Sequence, residues 1–265
     1  MNKIIGCLIG LVLLTGCGSQ GLVFKDTQDT SSEITQSTKE QTAKDAKDAA
    51  KLFINAYIYQ KDIEKFKETF SMPTVVLLGE EGDDTFLMKS IALGLKESGE
   101  ISTEQALSIT RTMMKEAKKQ AKYEITDSKK SGNTYHVTLD IYGLNYLKAV
   151  EQACDKLFNQ LLAEPTMADD EAQLAQFMMM QYSESIPSSG ITEKPQQVKL
   201  DFQISDGTWE LMDDSDDALS QAELAFLCGY KDQEKMADDV DKKVTEMLND
   251  KSKEDIDDET LGEKV

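Results

Sequence analysis

The chain has 265 residues, a formal net charge of -20 and a pI of about 4.4. Nucleic acids and anionic lipid surfaces attract proteins through a basic face, so this charge argues against both as partners. The sequence holds one histidine and four cysteines, which leaves few of the usual nucleophiles, bases and zinc ligands. We therefore predict no nucleic-acid partner, no cofactor, no metal site and no set of catalytic residues.

The N-terminus has the residue order of a secretory signal. A single positive residue, Lys3, precedes an apolar run over residues 4–14. As a helix this run would span about half of a ~30 Å hydrocarbon core, which is too short to cross a membrane comfortably. The run therefore predicts export of the chain.

The residues after this run, Leu14-Thr15-Gly16-Cys17, resemble the bacterial lipobox. The resemblance implies cleavage between Gly16 and Cys17, followed by attachment of a diacylglyceryl group, of the kind that carries palmitate, to the Cys17 thiol. Two acyl chains hold a protein stably on a bilayer, whereas one gives marginal binding. The alternatives are an ordinary signal peptide with an incidental cysteine and an apolar N-terminal helix.

Basic residues are almost all lysine, and Arg111 is the sole arginine. This bias is typical of an AT-rich genome and points to a Gram-positive source. Together with the lipobox it predicts an extracytoplasmic protein that is lipid-anchored to the cell membrane.

Composition divides the chain into four parts. Residues 1–16 are the predicted lipoprotein signal peptide, and residues 17–42 are the lipidated cysteine with a polar, flexible tether. Residues 43–230 carry periodic apolar patterns and form the predicted globular domain. Residues 231–265 are predicted to be an acidic helix and tail, which frays from about Asp250 onward.

Apolar residues at helical spacing predict the helices of the domain's first half. Helices are expected from about Ala43, over 62–70 and around 85–97, with Pro73 and residues 79–84 interrupting the chain. Ser102 and Gln105 have the spacing of a capping box that opens the next helix. Its predicted core stripe is Ala106, Ile109, Met113 and Ala117.

Alternating patterns predict two β-hairpins with helices between and after them. The first hairpin alternates from Tyr123 to Ile141 around a turn at 131–133. Two helices, about 145–163 and 168–184, and a loop from Pro187 to Pro195 follow. The second hairpin turns at Asp206-Gly207, and a helix over 219–227 closes the domain.

This order of elements predicts an α+β fold: an antiparallel sheet of about four strands, covered by helices, with a helical acidic C-terminal extension. The chain resembles a group of uncharacterised Gram-positive lipoproteins. The residues that carry the resemblance are the lipobox, the helix at 46–59, Gly143-Leu144, Asp206-Gly207-Thr208-Trp209 and Cys228-Gly229. It implies a nuclear-transport-factor-like or cystatin-like cone with a pocket between sheet and helices. It implies no functional residues.

Few residues are candidates for chemistry. By alternation, His136 falls on the outer, solvent-facing side of its strand. The acidic run 213–217 lacks the ligand spacing of a calcium loop and suits the N-terminus of the following helix. Cys154 and Cys228 are either buried thiols on apolar helix faces or the two halves of a disulfide.

The methionine runs 113–114 and 178–180 either fill the core or line an adaptable groove. Trp209, on the second hairpin, is expected to be a core anchor. An anchor and a foldable domain without catalytic groupings favour a binding or interaction module for a small molecule or an envelope protein. The alternatives are a carboxylate-based cell-envelope enzyme and an acidic C-terminal helix that contacts cationic partners.

Overall fold

The computed structural model describes residues 46–76, 78, 85–99, 101–212 and 216–262 of the chain, without the side chains of 97–99, 216 and 252–262. The helices are α1 (Ala46–Tyr57), α2 (Ile63–Thr69), α3 (Met72–Val76), α4 (Phe86–Gly99), α5 (Thr103–Gln120), α6 (Tyr146–Ala163), α7 (Glu171–Ser189), α8 (Asp216–Cys228) and α9 (Gln233–Gly262). A 3-10 helix covers Pro165–Asp169. The strands are β1 (Lys122–Ser131), β2 (Thr134–Tyr142), β3 (Gln196–Ser205) and β4 (Thr208–Leu211).

The four strands form one antiparallel sheet in the order β1-β2-β3-β4. Both predicted hairpins are present, and β2 pairs with β3 to join them. In the second hairpin Asp206 and Gly207 both have positive φ, 50° and 80°, as a primed two-residue turn requires. The predicted α+β fold is confirmed, including the helical C-terminal segment.

One face of the sheet is apolar and lies under helices α1 and α8. Alternate residues of the two central strands are buried on this face, and Val137, Leu139 and Leu200 have no exposed surface. Because strand side chains alternate between faces, the polar residues between them lie on the other side of the sheet. The covered face therefore holds the core of the sheet half.

Phenylalanine rings fill the space between α1, α2 and the sheet. The Phe53 ring contacts those of Phe66, Phe70 and Phe202 at centroid distances of 5.7–6.1 Å. The chain after α2 is fixed to the edge strand, because the Ser71 amide donates to the Trp209 carbonyl over 2.8 Å. Trp209 is buried, as the sequence predicts for a core anchor.

Two glycines lie where the end of β2 meets the end of α8. A Cβ on Gly143 would lie 1.7 Å from the carbonyl oxygen of Ala225. Gly229 has φ +71°, and a Cβ there would meet Thr192 at 2.2 Å. The Leu144 amide next to this contact donates to the Phe226 carbonyl. The sequence motifs at 143–144 and 228–229 therefore form a single close backbone junction.

Three expectations about helix ends are wrong. Pro187 lies inside α7, whose last turn continues because Ser185 and Ser189 pack in the core and bond to carbonyls one turn back. Pro73 lies in the first turn of α3, where the missing N–H has no helical partner to lose. Helix α9 continues past Asp250 to Gly262, in a stretch that contains no proline.

Candidate functional site

A groove of about 510 Å³ runs between α5, α6, the 3-10 helix and α7. Helix α7 packs against both α5 and α6, so it forms the floor and the other two helices form the sides. Thirteen residues line this space, which we call the amide groove: Ile101, Gln105, Ser108, Ile109, Gln160, Met167, Gln173, Gln176, Phe177, Met179, Met180, Ser183 and Glu184. The volume lies within the range of small-molecule sites.

Side-chain caps fix the positions of the helices around the groove. Ser102 and Gln105 form the predicted capping box at the start of α5, with both reciprocal hydrogen bonds present. Asn145 caps α6 by accepting from the Lys148 amide, and Asp170 caps α7 by accepting from the Gln173 amide. These caps hold the groove-lining turns of α5 and α7 in place.

The deepest part of the amide groove is apolar. Ile101, Ile109, Met167 and Met179 line it and are almost fully buried, while Phe177 is half-buried. Met180 lies on the rim with 49% of its surface exposed. The apolar depth and polar rim are the usual arrangement of a ligand site.

Four glutamines and two serines give the groove its polar groups. Two of the glutamines have a fixed orientation. The Gln105 Oε1 accepts from the Ser102 amide at 2.8 Å, which leaves Nε2 to donate. The Gln160 Nε2 donates to a Glu164 carboxylate oxygen at 3.2 Å, which leaves Oε1 to accept. One helix therefore offers a donor and another offers an acceptor.

The groove is nearly uncharged. Among the described residues that line it, Glu184 is the only ionisable one, and its carboxylate lies 3.5 Å from Lys156 Nζ. The lining therefore carries one negative charge, which Lys156 faces from outside the lining. An anionic ligand would lose its hydration there without gaining a countercharge.

The sequence left two alternatives for the methionine runs, filling the core or lining a groove, and the structure shows both. Met113, Met114 and Met178 are core residues with at most 2% of their surface exposed. Met179 and Met180 line the groove. The sequence signal for the groove was the presence of apolar residues on two faces of α7, because Leu174 and Tyr182 fill the core face while Phe177 and Met180 lie on the other.

A second polar feature, absent from the sequence expectations, lies between α1 and α8. The Tyr57 hydroxyl donates to the Glu223 carboxylate. Burial raises the pKa of Glu223 to about 7, although the Tyr57 hydrogen bond opposes the rise. The sequence signal that could have revealed this contact was the position of Glu223, an acidic residue, on the apolar stripe that Leu219 and Leu227 define.

Paired-carboxylate catalysis needs two acidic side chains that converge, with at least one raised pKa. Glu223 meets the second requirement. The rise in its pKa has burial as its cause, with no contribution from a second carboxylate among the described residues. The structure therefore supplies one acid with a raised pKa and no partner acid beside it in the described part of the chain.

The single histidine lies on the polar face of the sheet, as alternation predicts. Its Nδ1 is 2.8 Å from Asp201 Oδ1, and both side chains are half-buried. Lys199 also approaches Asp201, at 3.8 Å. Within the described ranges no three His, Cys, Asp or Glu side chains cluster closely enough to hold a metal ion.

The two cysteines of the domain are buried thiols and do not form a disulfide. Burial raises the pKa of Cys154 to about 12, with smaller contributions from Asp155 and Glu151. The thiol form therefore persists at neutral pH, and Cys154 packs as a small apolar side chain.

The lipid-attachment and cleavage residues, Cys17 and Gly16, lie outside the described residues, as do residues 213–215 of the acidic run. Of the helices in the described part of the chain, none combines the length and the apolar composition needed to cross a membrane.

The fold is similar to that of one solved structure. A Bacillus subtilis protein provisionally named as a lipoprotein, ycdA, superposes with a TM-score of 0.53 at 15% sequence identity. The match covers 67% of this chain and 54% of that chain, so this chain spans about half of that structure's length. At this identity the likeness concerns the fold alone.

No curated protein is significantly similar to the chain. A protein-family model, described as a domain of unknown function (DUF5105), matches residues 36–227. The matched region contains the sheet and the amide groove. The chain belongs to the DUF5105 family.

Proposed function

We propose that this protein is an extracytoplasmic lipoprotein, anchored through a lipid on Cys17, whose domain binds a ligand in the amide groove. The observation that carries the binding role is the groove itself: about 510 Å³ with an apolar depth and a polar rim whose one charged residue, Glu184, faces Lys156. The lipobox at 14–17 and the provisional naming of the Bacillus subtilis neighbour as a lipoprotein support the anchor. The ligand would then be a molecule of the cell envelope or its surroundings.

The site differs from the pocket that the family resemblance implied. That pocket would lie between sheet and helices, whereas the amide groove lies among helices. Between the sheet and α1, the Phe53, Phe70 and Phe202 rings are in contact. The helical half therefore provides the better candidate for binding.

Fluorescence of N-phenyl-1-naphthylamine, a neutral apolar probe, tests the binding role. We expect saturable binding to the folded protein and at least a tenfold loss of affinity in Met180→Glu, because the carboxylate places a charge on the rim of the apolar cavity. Leu93→Glu is the matched control, since Leu93 is also about half exposed but lies outside the groove. Equal affinity in both variants would contradict binding in the groove.

Metabolic labelling with an alkyne analogue of palmitate tests the anchor separately. The wild-type chain should incorporate the label and fractionate with membranes, and its mature form should begin at Cys17. The Cys17→Ala variant should incorporate none, because alanine has no thiol to form the thioether. Labelling of Cys17→Ala at the wild-type level would refute the anchor.

A further inference from the structure

We infer that the ligand of the amide groove is an uncharged peptide segment with apolar side chains, recognised through its backbone amide. This inference rests on the proposed function, since it names the class of ligand for the same groove. The evidence for it is the fixed orientation of two glutamine amide groups, together with the charge and the composition of the groove lining.

The first step is the fixed orientation of the two amides. The Ser102 backbone N–H can bond only to an acceptor, so the Gln105 oxygen faces it and the Gln105 Nε2 donors remain for a ligand. The Glu164 carboxylate accepts only, so Gln160 presents its nitrogen there and keeps Oε1 for a ligand. A peptide group has one carbonyl acceptor and one N–H donor, which complement this pair.

The second step is the charge of the site. The lining lacks any lysine, arginine or histidine among its described residues, and Glu184 already faces Lys156. The whole chain carries a net charge of -20, which repels anions approaching from solution. Fatty-acid carboxylates, phospholipid headgroups and acidic peptides would find no countercharge. The electrostatics therefore disfavour anionic ligands, and a cation would meet only Glu184, which Lys156 already faces.

The third step is the composition of the groove around these amides. Gln173 and Gln176 add further donors and acceptors along α7, while Met179, Met180 and Phe177 give the apolar surface. Methionine is unbranched and polarisable, so it adapts to side chains of different shape. The combination of amide groups with an adaptable apolar surface suits a backbone that carries varied apolar side chains.

Competition against bound N-phenyl-1-naphthylamine tests this inference. The competitors are a pool of N-acetylated, C-amidated tripeptides of Ala, Leu, Met and Phe, the same pool with a central Asp, and the non-peptide chains decanol and decanoate. We expect the neutral pool to displace the probe, and the acidic pool to do so at least tenfold less effectively.

Two variants test the amide pair without disturbing the structural role of each glutamine. Gln105→Glu keeps a capping-box acceptor but removes the donor. Gln160→Lys keeps a partner for Glu164 but removes the acceptor. Each should weaken the neutral pool about tenfold more than it weakens the neutral probe, because each removes one hydrogen bond to the peptide, whereas the new charge in the groove acts on peptide and probe alike.

The matched control is Gln197→Lys on the polar face of the sheet. Gln197 also donates its amide to a carboxylate, that of Asp140, but it is not part of the groove. This variant should bind probe and peptides as the wild type does.

The outcomes separate the inference from the proposed function. If the probe does not bind, or binds Met180→Glu normally, the binding role itself fails. If the probe binds in the groove but the neutral peptide pool does not displace it, the peptide inference is overturned and the groove keeps its role; displacement by decanol or decanoate would then assign an acyl chain. Displacement that neither glutamine variant weakens would also overturn recognition of the backbone amide.

Discussion

The sheet half and the helical half of this domain are packed in different ways. Beneath α1 and α8, the sheet half consists of contacting aromatic rings and fully buried aliphatic side chains such as Phe202 and Leu200. In the helical half, α5, α6 and α7 leave a groove lined by glutamine and methionine. The first half is therefore filled, whereas the second half leaves the open groove in which we propose that a ligand binds.

Truncation of one phenylalanine in each half tests this difference most strongly. Phe202→Ala should lower the free energy of unfolding by about 4 kcal/mol, because it opens a cavity in a filled core. Phe177→Ala should cost less than about 2 kcal/mol, since that ring is half-buried beside an existing groove. Urea unfolding followed by circular dichroism would measure both, and similar losses would remove the distinction between the halves.

A substitution at Gly143 tests how closely the end of β2 packs against α8. Gly143→Ala should cost about 3 kcal/mol or more, because the new Cβ would overlap the Ala225 carbonyl of α8. Gly132→Ala is the control: its φ is +61° but nothing lies within 4 Å, so only backbone strain of about 1 kcal/mol is expected. A smaller loss at Gly143 than at Gly132 would contradict the close approach.

The partly buried carboxyl of Glu223 should make the stability of the protein depend on pH. Its folded-state pKa of about 7 lies above the ordinary value of 4.5, so the folded state binds the proton more tightly than the unfolded state. The resulting stabilisation is fully present below about pH 4.5 and is lost as the pH rises through 7.

Glu223→Gln should abolish this loss and make the protein more stable than the wild type at pH 9, by up to about 3 kcal/mol. Thermal and urea unfolding between pH 5 and pH 9 would measure it. Glu124→Gln, on the exposed side of β1, is the control and should change stability by less than about 0.5 kcal/mol. If the wild type instead gained stability relative to Glu223→Gln as the pH rises, the direction given for the pKa shift of Glu223 would be wrong.

The smallest effect concerns the cap at the entrance of the groove. Ser102→Ala removes the acceptor of the Gln105 amide and should cost about 1 kcal/mol. It should also weaken probe binding slightly, because Gln105 loses part of its support. Unchanged stability in urea unfolding would show that the cap does not hold this end of α5.

The sequence predicted most of the sheet half because its signals are local. Strict alternation at Val137, Leu139 and Ile141 identifies a strand, and Asp206-Gly207 identifies its turn. The capping box at Ser102 was predicted for the same reason. Each of these signals depends on neighbours within a few residues, and tertiary packing agrees with them.

The groove and the pair of Tyr57 with Glu223 depend on contacts between distant parts of the chain. Gln105 and Gln160 line the same groove only when α5 and α6 pack on α7, and nothing in either local sequence marks them as a pair. Tyr57 and Glu223 are 166 residues apart. Pro187 was expected to end α7, but the burial of Ile186 and Ser189 keeps the last turn helical.

An NMR titration of the protein with labelled methionine methyl groups tests the groove most directly, because methionines lie both in the groove and in the core. Met167, Met179 and Met180 line the groove, whereas Met113, Met178 and Met236 are buried in the core. On addition of the neutral capped tripeptides, we predict saturable shifts of the first three methyl signals and unchanged positions of the other three. Shifts confined to the core methyls, or no shifts at saturating peptide, would contradict a peptide-binding groove.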